Sequence, residues 1–105
     1  ITTSSQEVIE REQQSMFQVY RRLPIAVQYA SGCRITSVDG DTYLDFLSGI
    51  AVSALGYGHP RLIDAITRQA KAFMHLSNVF YQEPQVELAE LLVQHTGYAR
   101  VFFSN

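Results

Sequence analysis

The stretch Ile35-Thr36-Ser37-Val38-Asp39-Gly40-Asp41-Thr42-Tyr43-Leu44-Asp45-Phe46 decides how the chain is read. Segments that lean towards β structure flank Asp39-Gly40, and an aspartate-glycine pair favours the positive-φ turn that closes a hairpin. Leu44 and Phe46, two residues apart, are expected to share one face of the second strand. Upstream, Pro24 ends a helix and Ile25 to Tyr29 reads as extended. Ser4-Ser5-Gln6-Glu7 fits a capping box, which predicts that this helix runs from Ser5 to about Tyr20. Its apolar face, Ile9, Met16, Phe17 and Tyr20, is thin and suits a partner or another domain better than a core.

Downstream of the hairpin the pattern changes. Ser48 to Gly58 contains three glycines and small residues with no helical or strand period, so it reads as an irregular segment that brings backbone close to something. His59-Pro60 opens a helix, because proline at the first helical position lacks only an amide that has no partner there. Ile63, Ile66, Ala70, Phe73 and Met74 are its expected buried stripe. Met74 to Gln82 is a loop rich in aromatic and amide groups. Pro84 starts the next helix, with Leu88, Leu91 and Leu92 inward, and Gly97 stops it as a left-handed residue. Val101-Phe102-Phe103 reads as a short buried strand that turns through Ser104-Asn105. Hairpin, helix, helix and buried strand predict an α/β fold in which a small N-terminal lobe precedes a large domain. A strand and turn are an odd finish for a domain, so the chain is expected to be part of a longer protein.

Composition narrows the function classes. The 105 residues are enough for one domain, and 47% hydrophobic with 17% charged residues can bury a core. A net charge of -2 lacks the basic footprint of a nucleic-acid module. Apolar runs of about five residues fall far short of the roughly 20 that a membrane helix needs. The first residues are polar rather than a cationic signal. A cytoplasmic protein with no nucleic-acid and no membrane partner is expected. The lone Cys33 can form neither an internal disulfide nor a multi-thiolate zinc site, so no metal is expected.

Few residues announce chemistry. A strand turning through Ser104-Asn105 into a helix is the geometry that offers backbone amides to a phosphate. Gly56-Tyr57-Gly58-His59-Pro60 lacks the spacing of either a dinucleotide loop or a P-loop, and reads as a tight turn with His59 at an N-cap, its ring accepting from an amide. His75 and His95 have no carboxylate or thiol at ligand spacing. Lys71, the only lysine, lies with Asp64 and Thr67 away from the apolar stripe and reads as solvated rather than as a nucleophile. Asp45 can cap a turn or pair with an arginine. Periodicity gives no reason to notice Tyr20 or Ile50.

Several blocks nevertheless fall in a familiar order. Tyr43-Leu44-Asp45-Phe46-Leu47-Ser48-Gly49-Ile50-Ala51-Val52, Leu55-Gly56, Gly58-His59-Pro60, Ser77-Asn78-Val79-Phe80-Tyr81-Gln82-Glu83-Pro84-Gln85, Leu88-Ala89-Glu90 and Arg100-Val101-Phe102-Phe103-Ser104-Asn105 together resemble the class III (ornithine-type) pyridoxal-phosphate aminotransferases, in their acetylornithine branch. Departures are Tyr57, where the family often carries histidine, and Gly32-Cys33-Arg34, where a second small residue is frequent; neither is expected to touch the chemistry.

The resemblance implies a fold type I enzyme with three α/β/α layers, a mainly parallel sheet, pyridoxal 5'-phosphate as cofactor and a homodimer with composite sites. Residues 1–52 then form the N-terminal helix and hairpin of the small domain, and residues 53–105 the linker and the start of the cofactor-binding large domain, which stops at the phosphate loop. Ser104 and Asn105 are implied as cofactor-binding and Tyr20 and Ile50 as substrate contacts. Ser77 and Asn78 are implied at the dimer interface, on the edge of the neighbouring site. No catalytic residue falls in this segment: the Schiff-base lysine and its companions lie further on, and these residues alone should be inactive. Ornithine aminotransferases carry a tyrosine at the position of Ile50, so an apolar residue there fits a substrate whose α-nitrogen is acylated. The implied reaction is transamination between N-acetylornithine and the 2-oxo acid 2-oxoglutarate. Alternatives are a succinylornithine, ornithine or 4-aminobutyrate transaminase, or a non-catalytic interaction module if 105 residues are the natural length.

Overall fold

A computed structural model describes residues 3–105. Helix α1 (Ser5–Ser15) precedes strands β1 (Val27–Ser31), β2 (Arg34–Ser37) and β3 (Thr42–Leu44), which are followed by a tight turn, α2 (Ser48–Ala51), and two longer helices, α3 (Pro60–Ala72) and α4 (Glu83–Thr96). The chain divides into two compact units, Ile1–Gln69 and Ala70–Asn105.

In the first unit the three strands form an antiparallel meander in the order β1-β2-β3. The expected hairpin is present, with Arg34 opposite Leu44, Ile35 opposite Tyr43 and Thr36 opposite Thr42. Its closing turn is longer than a two-residue connection: Gly40 takes the positive φ, 92°, and donates its N–H to the Ser37 carbonyl at 3.1 Å. Asp39 stays out of the left-handed region and serves another purpose. Its carboxylate accepts the Ser5 N–H at 3.0 Å and ties the start of α1 to the hairpin end. The buried Ser5 hydroxyl in turn accepts from the N–H of buried Ala26 at 3.0 Å, so a small polar network docks helix on sheet.

The sequence reading missed a second hairpin. β1 and β2 join through Gly32-Cys33, and Gly32 has φ 57° at the first central position of this two-residue turn. Other expectations also differ from the structure. α1 does keep its Ser4 cap, whose Oγ accepts from Glu7 N at 3.2 Å, but it stops at Ser15 instead of near Tyr20. The Ser15 hydroxyl bonds back to the Arg11 carbonyl, a local alternative that weakens helix continuation, and exposed Phe17 supplies no packing to carry the helix on. Phe46 lies beyond β3, fully exposed, and does not share the Leu44 face because the chain turns at Asp45.

α3 begins at Pro60, and the His59 backbone carbonyl accepts from Leu62 N and Ile63 N, both at 3.0 Å. The ring does not cap: its Nδ1 is buried without a partner. α3 ends at Ala72, so Phe73 and Met74 fall outside it, and Ile63 and Ile66 are exposed rather than buried. α4 has Pro84 in its first turn and stops where expected, at Gly97 with φ 76°. Leu88, Leu91 and Leu92 on it are also exposed. Val101-Phe102-Phe103 forms no strand, and Phe102 is 89% exposed. A buried strand needs neighbours to take its backbone hydrogen bonds, and among the described residues this segment has no sheet partner. Ala26 is the one buried apolar side chain among the described residues, so the apolar stripes read from the sequence exist as uncovered faces.

The irregular segment after β3 does approach other backbone. Gly32 and Tyr57 exchange backbone hydrogen bonds of 2.9 and 2.8 Å, and a Cβ on Gly56 would stand 2.8 Å from the Gly32 carbonyl oxygen. Gly56 also has φ 75°. Gly56→Ala should therefore destabilise the full-length protein by about 1–3 kcal/mol in a denaturant titration, whereas an unchanged midpoint would contradict this close approach.

Candidate functional site

The chemistry of the first unit gathers where β3 ends. Asp45 N donates to the Cys33 carbonyl at 2.8 Å, which fixes the residue against the β1–β2 hairpin tip. Its carboxylate then serves two directions. Oδ1 accepts the N–H groups of Leu47 at 2.7 Å and Ser48 at 3.1 Å, and Oδ2 accepts the Tyr57 hydroxyl. The expectation that Asp45 caps a turn is met.

The turn it caps is left-handed. Ser48, Gly49, Ile50 and Ala51 have φ of 51°, 63°, 65° and 59°, and the Ala51 and Val52 N–H groups reach back to Leu47 O and Ser48 O at 2.9 and 2.8 Å. Only Gly49 adopts this conformation freely; for L-residues with a Cβ it costs roughly 1–2 kcal/mol each, and a β-branched residue such as Ile50 is the least suited. Such strain persists where surrounding bonds determine it, and Asp45 supplies those bonds.

Electrostatics agree with this geometry. The Tyr57 hydroxyl, and after it the Leu47 amide, hold the Asp45 carboxyl below the ordinary carboxylate range. Tyr57 itself is pushed above the ordinary phenol range by its hydrogen bond to Asp45, then by burial and the carboxylate charge. Asp39 is lowered likewise by hydrogen bonds from the Ser5 side chain and amide. A depressed carboxyl contributes stability above its unfolded value and loses it as pH falls through the folded value; a raised phenol contributes below its unfolded value and loses it as pH rises through the folded one. Asp45→Asn should thus lower the denaturation midpoint of the full-length protein across neutral pH, with the gap to wild type closing as the solution is acidified below the ordinary carboxylate range. A gap independent of pH would contradict the role of the carboxylate charge.

The residues singled out from the sequence are placed as follows. Ile50 stands on the left-handed turn with its side chain 88% exposed. Tyr20 lies after α1 in a groove with Ile9, Glu12 and Pro24. The Arg22 guanidinium stands 5.6 Å from the Tyr20 ring centroid and pairs with Glu12. Ile50 is not among the residues that line that groove. In the second unit the Ser77 hydroxyl accepts from Val79 N at 3.3 Å, and Asn78 shares a shallow groove with Gln85, Val86 and Val101 to Phe103. Ser104 and Asn105, next in sequence, are exposed and do not line that groove. Tyr57, which the sequence marks only as a departure from the family, is the side chain that meets Asp45, an aspartate between apolar neighbours twelve positions before it.

Lys71 is exposed on α3. The residues present therefore include no enclosed lysine that could hold an aldehyde cofactor. Among the described residues no cluster of side chains could hold a metal ion, and no helix is long and apolar enough to cross a membrane.

Comparison with known proteins follows the same lines. The class-III aminotransferase family model matches residues 16–105. The acetylornithine aminotransferase of Methanocaldococcus jannaschii is 40% identical over 102 residues, 97% of this chain and 26% of that protein. The acetylornithine aminotransferase of Streptomyces coelicolor is 43% identical over 103 residues, again 97% and 26%. Among solved structures, acetylornithine aminotransferase from Elizabethkingia anophelis superposes with a TM-score of 0.89 at 27% identity over 94% of this chain and 26% of that one. Plasmodium falciparum ornithine δ-aminotransferase reaches 0.89 at 24% identity over 93% and 26%, a likeness of fold alone. The chain spans about a quarter of the length of these relatives. Its fold is that of the N-terminal part of fold type I enzymes, and the family depends on pyridoxal phosphate. The chain belongs to the class III aminotransferases.

Proposed function

We propose that the full-length protein transfers the δ-amino group of N-acetylornithine to 2-oxoglutarate, giving N-acetylglutamate semialdehyde and glutamate, as a step of arginine biosynthesis in the cytoplasm. The names of its relatives support the amino donor. One observation in this chain carries the choice: Ile50 offers a bare apolar side chain on a left-handed turn. An apolar contact gives nothing to a charged α-amine, whereas it suits the neutral acylated nitrogen and methyl group of an N-acetyl substrate.

Pyridoxal phosphate, when bound, supplies the electron sink for the carbanion left as the δ-carbon loses its proton. This chain's residues bind and orient. Ile50 touches the acylated end of the donor, Tyr20 holds the donor from the segment after α1, and Ser104 and Asn105 begin the turn that receives the cofactor phosphate. In this reading residues 1–52 belong to the small domain and residues 53–105 open the large one. The 105 residues alone carry no transaminase activity, because Lys71 is exposed on a helix and no other lysine is present. Ser77 and Asn78 edge the neighbouring active site of a homodimer. Val79 and Tyr81 beside them are large exposed apolar side chains of the kind that an interface covers.

Two measurements test this. In the full-length enzyme, Ile50→Tyr introduces a hydroxyl that can pair with a free α-amine and crowds the acetyl group. The ratio of kcat/KM for N-acetylornithine over ornithine should fall by roughly tenfold to a hundredfold, the worth of one hydrogen bond to a charged group, whereas an unchanged ratio makes Ile50 mere packing. Sedimentation of the full-length protein should give a dimer in which Ser77 to Gln82 are protected from hydrogen exchange. A monomer with that loop open to exchange contradicts the assembly.

A further inference from the structure

We propose that Tyr57 is a positioning residue for the amino donor: its hydroxyl holds the Asp45 carboxylate on the amides of Leu47 and Ser48, and so fixes the left-handed turn that presents Ile50. The inference rests on the reading of Ile50 as a donor contact.

Both partners of the Tyr57–Asp45 bond are anchored to the same hairpin tip. Tyr57 exchanges two backbone hydrogen bonds with Gly32, at 2.9 and 2.8 Å, and Asp45 N is held by the Cys33 carbonyl at 2.8 Å. The two side chains therefore meet from fixed backbones, twelve residues apart in sequence. With Oδ2 on the phenol, rotation of the carboxylate about its Cβ bond would break that hydrogen bond, and Oδ1 stays on the two amides that open the turn. The three residues of the turn that carry a Cβ, Ser48, Ile50 and Ala51, all sit at positive φ. A strained turn of this kind relaxes when one of its determining bonds is lost. Its relaxation moves the Ile50 side chain, because that side chain is 88% exposed and has little packing to retain it.

An aromatic residue at position 57 has a bland explanation, that its half-buried ring merely fills space beside the hairpin. The two accounts differ in what the hydroxyl does. Tyr57→Phe keeps the ring and removes the donor, while Tyr57→His restores an N–H donor on a smaller ring.

The test uses the full-length enzyme and compares wild type with both variants by residue-resolved hydrogen exchange and by the ratio of kcat/KM for N-acetylornithine over ornithine. In Tyr57→Phe the amides of Leu47 and Ser48 should exchange about tenfold faster or more, the value of a lost hydrogen bond to a charged group, with α3 and α4 unaltered. The donor ratio should fall in the same variant, and both readouts should recover in Tyr57→His. Exchange at Leu47 and Ser48 that is equal in wild type and Tyr57→Phe overturns the proposal. So does a uniform loosening of the first unit with the donor ratio unchanged, since that is the signature of space filling. If the wild-type enzyme does not turn over N-acetylornithine, the substrate reading falls by itself. The exchange comparison then upholds or overturns the hold of Tyr57 on the turn without it.

Discussion

Asp45 stands where two demands on the backbone conflict. The chain must leave β3 and reach α3, and on the way it adopts a left-handed turn in which only one of four residues is glycine. No side chain in Ser48, Ile50 or Ala51 favours that conformation, so the cost is met from outside the turn. The carboxylate does this by accepting two amides on one oxygen and a phenol on the other. A carboxylate in such a position is stronger than a neutral acceptor, because each of its hydrogen bonds is charge-assisted. Gly32 and Cys33 hold the two partners in place, which makes the tip of the first hairpin the base on which the strained turn is built.

The rest of the first unit is organised by the same kind of force. Its only buried side chains among the described residues are Ser5, Ser37 and Ala26, and hydrogen bonds between Asp39, Ser5 and Ala26 join the helix to the sheet. Each such bond contributes less than the burial of one large apolar side chain. Polar contacts therefore set geometry here, and the large apolar faces of α3, α4 and Val101 to Phe103 are left for other surfaces to cover. A chain that makes up about a quarter of its relatives' length suits that division of labour.

How much could be read from the sequence depended on how far each determinant acts. The Asp39-Gly40 hairpin, the Pro60 and Pro84 helix starts and the Gly97 stop rest on residues within a few positions of the feature, and each is where local chemistry puts it. The end of α1 and the missing strand at Val101 to Phe103 depend on packing that a local pattern does not contain. The β1–β2 hairpin was marked only by Gly32, since Cys33 carries no turn signal. The candidate site was the least legible. Isoleucine disfavours positive φ, so nothing at position 50 announces a left-handed turn, and the Asp45–Tyr57 bond joins residues that periodicity treats as unrelated. The sequence pattern did identify the family, because several separate blocks occur in order, yet it held no sign that one of its departures, Tyr57, bonds to Asp45.

The central claim is that a strained turn, fixed through Asp45, presents Ile50 to the acylated end of the amino donor. A crystal structure of the full-length enzyme with N-acetylornithine bound tests it most directly. The account predicts Ile50 at positive φ, its side chain within about 4 Å of the acetyl group, and the Asp45 carboxylate still between Tyr57 and the Leu47 and Ser48 amides. An acetyl group seated away from Ile50, or a relaxed turn with Ile50 at negative φ, would contradict it.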